Sequence, residues 1–337
     1  MNILIEGINL ENYYSKEHES FKNGLRTMYG AKVWGKGYEN YDPEVDSFLE
    51  IRRRTFGDEE IDLLIIMGAN NYGFKDGIGA SYNVEKAEEG FYYRDLEKLK
   101  CKKAVLLYDF WSEAECKREE YFDFILKNQI DIIFTLFRYP LHIWRLYPDI
   151  IDRMIWLPPS FNPGIFNDWG MEKKYDVGNL NSGIFSADSF YPERHKMHKK
   201  LLEMNDITYL YSKHPGGGFH KEGDPLIGKN FSKAINECRI FVTSGHEVYK
   251  NFTSKYVEIM ASKACLFTTE CLDEDVIGLI DGWNCIKISE SNFEDKVHYF
   301  LKHKDELKAI SERGYRLVME KYNCYAQANY VYRNITR

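Results

Sequence analysis

The chain has 337 residues, more than one hydrophobic core usually serves, so its length predicts two domains of roughly 150 residues each. Hydrophobic residues make up 44% of the sequence and charged residues 29%, a balance that excludes a disordered, collagenous or low-complexity protein. The formal net charge of -7 disfavours a protein whose whole surface binds nucleic-acid backbones.

No uninterrupted apolar run of about 18 residues occurs, and Met1–Gly7 has neither a basic leader nor a small-residue cleavage site. We therefore expect a soluble, cytoplasmic protein without a transmembrane segment. The seven cysteines include no Cys-x-x-Cys pair and several lie in apolar runs, which predicts reduced core thiols. The nine histidines show no His-Glu-x-x-His spacing, so no metal site is predicted.

Short apolar runs, each followed by a segment of helical periodicity, dominate the first half of the chain. These runs are residues 2–6, 63–67, 104–108 and 132–136. Runs that are apolar throughout, rather than alternating, are typical of parallel strands covered by helices on both faces. The first half is therefore predicted to be a doubly wound α/β domain.

Residues Trp156–Gly164 contain three of the nine prolines, so a strand is predicted to end here and a linker to begin. Beyond the linker the same alternation restarts. Apolar runs occupy residues 175–178, 207–211, 239–243, 264–268 and 285–288, and helical periodicity occupies 192–204, 230–238, 305–321 and 325–335. This pattern predicts a second α/β domain.

In an open parallel sheet, ligands bind beyond the carboxyl ends of the strands, so the loops after the apolar runs carry the candidate residues. Gly178 and Asn179 end one run, and Tyr191–Arg194 opens the next helix. Amide N–H groups, a helix dipole and a guanidinium there could converge on a diphosphate. A glycine turn beside a solvated arginine explains the same residues equally well. No dinucleotide or P-loop glycine motif is present.

Two later loops offer further candidates. The triple glycine within His214–Gly218 lets the chain approach a flat ring such as a nucleobase, or forms a flexible surface loop. A helix is predicted to open at Thr253 or Ser254, both competent N-caps. The Glu258 carboxylate in its second turn can accept hydrogen bonds from the vicinal diol of a ribose, and Lys255 lies one turn earlier for a phosphate. By composition alone, both are better interpreted as ordinary charges on a helix surface.

Ser254–Lys263, followed by Leu266–Thr269, resembles the donor-nucleotide helix of group 1 glycosyltransferases with the GT-B fold, especially the CgeB-like (spore maturation protein) branch. Further segments match that branch in order and spacing, namely Asp176–Asn179, Tyr191–Arg194, Phe231–Asn236, Ile310–Tyr322 and, more loosely, Tyr29–Tyr38. The resemblance covers most of the chain and is strongest over residues 173–322.

The resemblance implies an α/β fold with two Rossmann-like doubly wound domains facing a cleft, and a C-terminal helix that crosses back to the first domain. It implies an acceptor-side domain at 1–168, joined by 323–337, and a nucleotide-sugar donor domain at 169–322. The implied reaction transfers a sugar from a donor such as a UDP-sugar to a glycan, cell-surface polymer, protein or other hydroxylated acceptor. The donor is a substrate, and neither a cofactor nor a catalytic metal is implied.

The resemblance also implies the donor-binding residues, which are Gly178, Asn179, Arg194, His214, Gly216, Ser254, Lys255 and Glu258. Within this set Glu258 would bind the ribose. Gly178, Asn179 and Arg194 would face the diphosphate with Lys255 nearby, and the loop from His214 would flank the base.

One departure from the family pattern leaves the stereochemistry open. Many retaining members carry a Glu-x7-Glu pattern that ends at the ribose glutamate, but Lys250 stands at the earlier position here, and Glu247 lies further upstream. Lys263-Ala264 also replaces a common glycine. Retention and inversion therefore both remain possible outcomes.

An inverting reaction needs a general base, which we expect to project from the first domain. Asp109, at the carboxyl end of a strand, is the first candidate, although a helix N-cap role fits it equally well. His18 and Glu6 are weaker candidates. His246 could stabilise the leaving phosphate or the sugar, or simply end a strand.

Two other sets of residues have weaker functional interpretations. Trp111 and Tyr92-Tyr93 could form a stacking platform for an acceptor sugar. The basic clusters Arg52–Arg54 and His195–Lys200 fit solvated helix faces better than a nucleic-acid patch. Two alternative functions remain: a nucleotide-sugar epimerase-like enzyme on the same fold, and a catalytically silent nucleotide-sugar binding protein.

Overall fold

The computed structural model describes residues 1–67, 93–107, 124–136, 138, 148–189, 191–215, 220–221, 223–246 and 250–336. The chain forms two compact units, each built on one parallel sheet. The first unit contains Met1–Asn9, Lys22–Pro158 and Ala328–Arg337, and the second contains Leu10–Phe21 and Pro159–Gln327.

The first unit holds a six-stranded sheet in the order β2-β1-β3-β4-β5-β6. Its strands are β1 (Ile3–Glu6), β2 (Lys32–Trp34), β3 (Leu63–Ile66), β4 (Lys102–Leu107), β5 (Ile132–Thr135) and β6 (Met154–Trp156). The four strands predicted from apolar runs are confirmed. The sequence pattern missed β2, a three-residue edge strand too short to form an apolar run. The other edge strand, β6, ends at Trp156, where the prolines predicted the end of a strand.

Helices of the N-terminal half are α1 (Glu17–Tyr29), α2 (Phe48–Phe56) and the short α3 (Pro148–Ile151), with a 3-10 turn at Leu96–Lys98. The C-terminal helix α10 (Cys324–Ile335) ends within the first unit, as the resemblance implied. There the ring of Tyr332 stacks on Tyr29 with 4.5 Å between centroids, and the Tyr29 hydroxyl donates to Asn329 Oδ1 at 2.6 Å.

The second unit holds a five-stranded parallel sheet in the order β11-β10-β9-β7-β8. Its strands are β7 (Tyr175–Asn179), β8 (Tyr209–Tyr211), β9 (Cys238–Thr243), β10 (Cys265–Thr268) and β11 (Ile286–Lys287). Its helices are α4 (Pro192–Glu203), α5 (Gly228–Asn236), α6 (Ser254–Ala261), α7 (Glu274–Ile277), α8 (Phe293–Lys302) and α9 (Lys304–Lys321). The predicted helix over 230–238 was wrong at its end, because Cys238 is buried and already pairs in β9 with Tyr175.

Parallel pairing places the carboxyl ends of β7, β9 and β10 at one edge of the second sheet. Val177, Ile240 and Phe267 belong to the buried core on which the sheet rests. Helices α4 and α6 follow β7 and β9 along the chain, so their N-termini open at that same edge. A polar ligand at this edge would therefore meet strand ends and helix N-termini together.

The state of the cysteines and the hydropathy of the helices were both predicted from the sequence. Six of the seven cysteines lie in the described part of the chain, where none forms a disulfide, and all except Cys101 are buried. Among the described residues, no helix combines the length and the hydropathy needed to span a membrane.

Candidate functional site

Arg194 is a buried cation in the first turn of α4, whose first residue, Pro192, lacks an N–H that would be unpaired there anyway. The side chain is 3% exposed. Its Nε and Nη2 donate to the Ser244 carbonyl at 3.2 and 2.6 Å, and its Nη1 donates to Ser182 Oγ at 3.3 Å. Within the described ranges, no carboxylate pairs with this guanidinium.

Burial lowers the pKa of Arg194 to about 10, so the group stays charged at neutral pH. A buried charge is costly unless it is paired, and carbonyl and hydroxyl oxygens neutralise only part of it. The arrangement is therefore suited to receive an anion. The alternative of a solvated arginine is wrong.

Tyr191 precedes α4 and contacts two of the predicted site residues. The Arg194 guanidinium lies 3.7 Å from the centroid of its ring. The ring of His246, which is 6% exposed beyond the end of β9, meets Tyr191 edge-on at 6.0 Å. In the sequence, Tyr191 is recognisable only as part of a helix start. An aromatic residue three positions before an arginine in a first turn was the signal available.

The N-terminus of α6 carries unpaired hydrogen-bonding groups. Thr253 is the N-cap residue, but its hydroxyl makes no capping bond. Within the part of the chain that the structure describes, the buried hydroxyls of Thr253 and Ser244 have no hydrogen-bond partner. Buried polar groups are normally paired, so these hydroxyls indicate where a ligand or water binds. The positive end of the α6 dipole adds to the attraction for an anion.

Lys255 and Glu258 form an ion pair one turn apart on α6, with Lys255 Nζ donating to Glu258 Oε2 at 2.6 Å. Glu258 is only 4% exposed. The Lys255 ammonium also lies 4.4 Å from the ring centroid of Phe231 on α5. Ser254, another predicted donor residue, begins the helix and is half-buried. Glu258 is therefore not an ordinary surface charge.

His214 follows β8, and its imidazole interacts electrostatically with the cations Lys255 and Arg194. Burial first, and then the positive charges of Lys255 and Arg194, lower the pKa of the His214 imidazole to about 4. The imidazole is therefore neutral at pH 7. This electrostatic coupling places Arg194, Lys255 and His214 in one positively charged environment at the carboxyl edge of the second sheet.

The N-terminal segment Leu10–Phe21, which belongs to the second unit, contacts His214 and His220. The ring of Tyr14 meets His214 in a T-shaped contact with 5.6 Å between centroids. The Asn12 carbonyl accepts a hydrogen bond from the His220 N–H at 2.8 Å. No local sequence signal indicated that Tyr14 would lie beside His214, because the two residues are far apart along the chain.

Gly178 and Asn179 have structural roles at the end of β7. A Cβ at Gly178 would lie 2.5 Å from Cys238 Sγ and 2.7 Å from the Phe241 ring, so packing explains this glycine. Asn179 is fully buried, and its Oδ1 accepts from Asn181 Nδ2 at 2.7 Å. Contact of either residue with a diphosphate stays a prediction.

The remaining candidates are distributed as follows. His18 is half-buried in the first turn of α1. Lys250, at the position where retaining enzymes carry glutamate, forms an exposed ion pair with Glu270. Asp109, Gly216, Glu247, Trp111 and Tyr92 lie outside the described residues.

The basic cluster Arg52–Arg54 is fully engaged in ion pairs. Its partners are Glu60 for Arg52, Glu50 for Arg53, and both Glu50 and Asp42 for Arg54. This pairing supports the interpretation of a solvated, charge-balanced helix face. Among the residues that the structure describes, no group of three or more His, Cys, Asp or Glu side chains is arranged to hold a metal ion.

Residues 195–332 match the model of a family described as glycosyl transferase-like. This match, over less than half of the chain, includes His214, His246, Lys255 and Glu258, and begins immediately after Arg194. It does not favour the epimerase alternative. A comparison with curated proteins found no match.

Solved structures are similar to the whole chain. HepE from Anabaena, crystallised with UDP and glucose, shares 8% identity at a TM-score of 0.59, covering 100% of this chain and 99% of HepE. Sucrose-phosphate synthase from Thermosynechococcus elongatus shares 10% identity at 0.57, covering 100% and 99%. A glycosyltransferase from Rickettsia africae shares 11% identity at 0.57, covering 100% and 98%.

These similarities show the fold, and they confirm the predicted α/β GT-B class. The chain therefore has the GT-B fold, and its residues 195–332 are similar to a glycosyl transferase-like family.

Proposed function

We propose that this protein is a glycosyltransferase that takes a sugar from a nucleoside diphosphate sugar held by its second unit. The observation that carries the proposal is the convergence of Arg194, Lys255 and two unpaired buried hydroxyls at one sheet edge. Cations, a helix N-terminus and hydroxyl donors together match the chemistry of a diphosphate. HepE, which has the same fold, was also crystallised with UDP-glucose, so a uridine diphosphate sugar is the first donor to test.

Each residue then has a distinct role. Arg194 and Lys255 bind the diphosphate and stabilise the negative charge that develops as the sugar leaves. Glu258 Oε1 makes no hydrogen bond to a described residue and accepts from the ribose hydroxyls, while Oε2 holds Lys255 near the phosphates. His214 borders the base.

In the transfer step, the bond between the anomeric carbon and the diphosphate oxygen breaks, and a bond to the acceptor oxygen forms. Asp109 is our proposed general base for the acceptor proton, with His18 as the alternative, and His246 is proposed to stabilise the leaving phosphate or the sugar. We further propose that no metal ion is required, that the acceptor is a hydroxylated glycan, polymer or protein, and that the chain acts in the cytoplasm. Membership of the CgeB-like branch belongs to the same proposal.

The proposal is tested by measuring the binding of UDP and of inorganic pyrophosphate by calorimetry in the presence of EDTA. Glu258→Gln should weaken UDP binding at least tenfold and pyrophosphate binding much less, because UDP loses the ribose contact, whereas pyrophosphate is affected only through the lost ion pair with Lys255. Lys255→Met should weaken the binding of both ligands. The matched controls Glu312→Gln and Lys263→Met alter another, partly exposed ion pair of the second unit and should change neither affinity.

Activity is tested by following nucleotide release from a panel of nucleotide sugars, with and without candidate acceptors. Asp109→Asn should abolish transfer without changing the affinity for UDP. The absence of binding to every nucleoside diphosphate, or an equal loss of UDP and pyrophosphate binding in Glu258→Gln, would contradict the proposed site.

A further inference from the structure

Tyr191 has no role in the binding scheme above, yet it contacts two of the site residues. Its ring supports the Arg194 guanidinium at 3.7 Å and meets the edge of His246 at 6.0 Å. Because Tyr191 lies immediately before Pro192, its backbone is held where α4 begins. The ring is therefore placed by the start of the same helix that carries Arg194.

Arg194 depends on neighbours other than carboxylates for its orientation. The Ser244 carbonyl accepts from Nε and Nη2, and Ser182 accepts from Nη1. A guanidinium has five N–H donors, so these bonds leave at least one N–H for a ligand. The electron-rich face of Tyr191 is the remaining partner of the cation, and such a contact is stronger at a desolvated site than at an exposed one.

We propose that Tyr191 is a positioning residue, whose ring holds the Arg194 guanidinium in the plane from which its remaining N–H meets the donor diphosphate. This inference rests on the proposed function of the same site. The edge contact with His246 extends the effect, since displacement of the ring also removes this contact from the imidazole. Tyr191 itself touches neither the reacting carbon nor the acceptor in this scheme.

The decisive comparison is between Tyr191→Phe, which keeps the ring, and Tyr191→Leu, which removes it. Tyr191→Phe should keep the wild-type UDP affinity within about twofold, whereas Tyr191→Leu should weaken it about tenfold. In transfer assays the KM for the donor should rise by a similar factor in Tyr191→Leu. The pairing is tested further by Tyr191→Leu in an Arg194→Met background, where the additional loss should be under about twofold.

Trp283→Leu is the matched control, because Arg313 lies 4.0 Å from the Trp283 ring centroid in the same unit, at a pair to which we assign no ligand. It should leave UDP affinity unchanged. Thermal unfolding of every variant separates a lost contact from a lost fold, and a Tyr191→Leu protein that melts like Trp283→Leu but binds UDP less tightly supports the inference.

Unchanged UDP affinity in Tyr191→Leu, while Arg194→Met loses affinity, would overturn the role of Tyr191 and leave the proposed function standing. An equal effect of Tyr191→Leu with and without Arg194 would overturn it in the same way. If neither the wild type nor any variant binds UDP or another nucleoside diphosphate, the proposed function and the inference fail together.

Discussion

His214 is the residue whose chemistry responds most directly to the charge around it. In the protein without ligand, the pKa of His214 is lowered to about 4. Burial is the largest cause, followed by the positive charges of Lys255 and Arg194 and finally by His220. A bound diphosphate would offset the charges of those cations, so the pKa of His214 should rise on binding. At pH 5.5 the imidazole is neutral without ligand, and we expect it to take up a proton when UDP binds.

This proton uptake is measured by titration calorimetry at pH 5.5 in two buffers of different ionisation enthalpy. UDP itself titrates in this range, so His214→Gln supplies the reference, and the wild type should take up more protons than this variant. Equal uptake in both proteins would show that the diphosphate does not reach the His214 environment.

The same lowered pKa has a consequence for stability in the absence of ligand. The unfolded chain binds a proton at His214 below its ordinary pKa of about 6.5, whereas the folded chain does so only near 4. The free energy of unfolding should therefore fall as the pH drops from about 6.5 towards 4. Urea titrations of the wild type at pH 7 and 5 should show this loss, and His214→Gln should show less of it.

At the scale of elements, Lys173 fixes the C-terminal ends of two helices in the second unit. Its ammonium donates to the carbonyls of Asn236 at 2.7 Å, Cys238 at 2.9 Å and Lys263 at 2.9 Å. Asn236 ends α5, and Lys263 follows α6, the helix that carries Glu258. Burial lowers the pKa of Lys173 to about 8, so the amine is mostly protonated at neutral pH.

Lys173→Met should reduce the free energy of unfolding by about 2–3 kcal/mol, because three partly buried carbonyls lose a charged donor. Lys174→Met is the adjacent control: Lys174 pairs with Glu237 at the surface, and its loss should change the free energy of unfolding much less than the loss of Lys173. Urea unfolding measures both changes. If both substitutions lowered the free energy of unfolding equally, the three hydrogen bonds of Lys173 would contribute no more than a surface ion pair.

Gly178 illustrates how an element can require glycine without involving a ligand. Its hypothetical Cβ would overlap Cys238 Sγ and the Phe241 ring, both in the neighbouring β9. Gly178→Ala should therefore destabilise the protein by about 1–3 kcal/mol through overpacking. In Gly178→Ala with Cys238→Ala, part of this loss should be recovered, as measured by urea unfolding. Full stability in the single variant would contradict the packing explanation.

At the scale of the whole molecule, both units are assembled from segments that are distant along the chain. The first unit uses Ala328–Arg337, where Val331 and Ile335 are buried. Loss of two such side chains should cost about 3–6 kcal/mol of the free energy of unfolding. A chain that ends at Gln327 should therefore unfold at much lower urea concentration, whereas one that ends at Ile335 should stay within about 0.5 kcal/mol of the full chain. Similar midpoints for both would show that this segment does not stabilise the first unit.

Local patterns in the sequence determined much of the architecture. Apolar runs that alternate with helical periodicity predicted the central strands of both sheets. A strand that is buried on both faces needs apolar side chains at consecutive positions, and this pattern is visible in the sequence. The position and the N-terminus of α6 followed in the same way from residues 253–258. The edge strand β2 and the end of α5 were not predicted, because their boundaries depend on the strand that pairs with them.

The chemistry of the candidate site was decided by tertiary structure. The sequence could name Arg194 and Glu258, but not that both are buried, or that Lys255 pairs with Glu258 and Arg194 with oxygens rather than a carboxylate. Nothing local placed Tyr14 beside His214. Burial and charge pairing are properties of side chains brought together from separate elements, whereas periodicity is a property of neighbours along one chain.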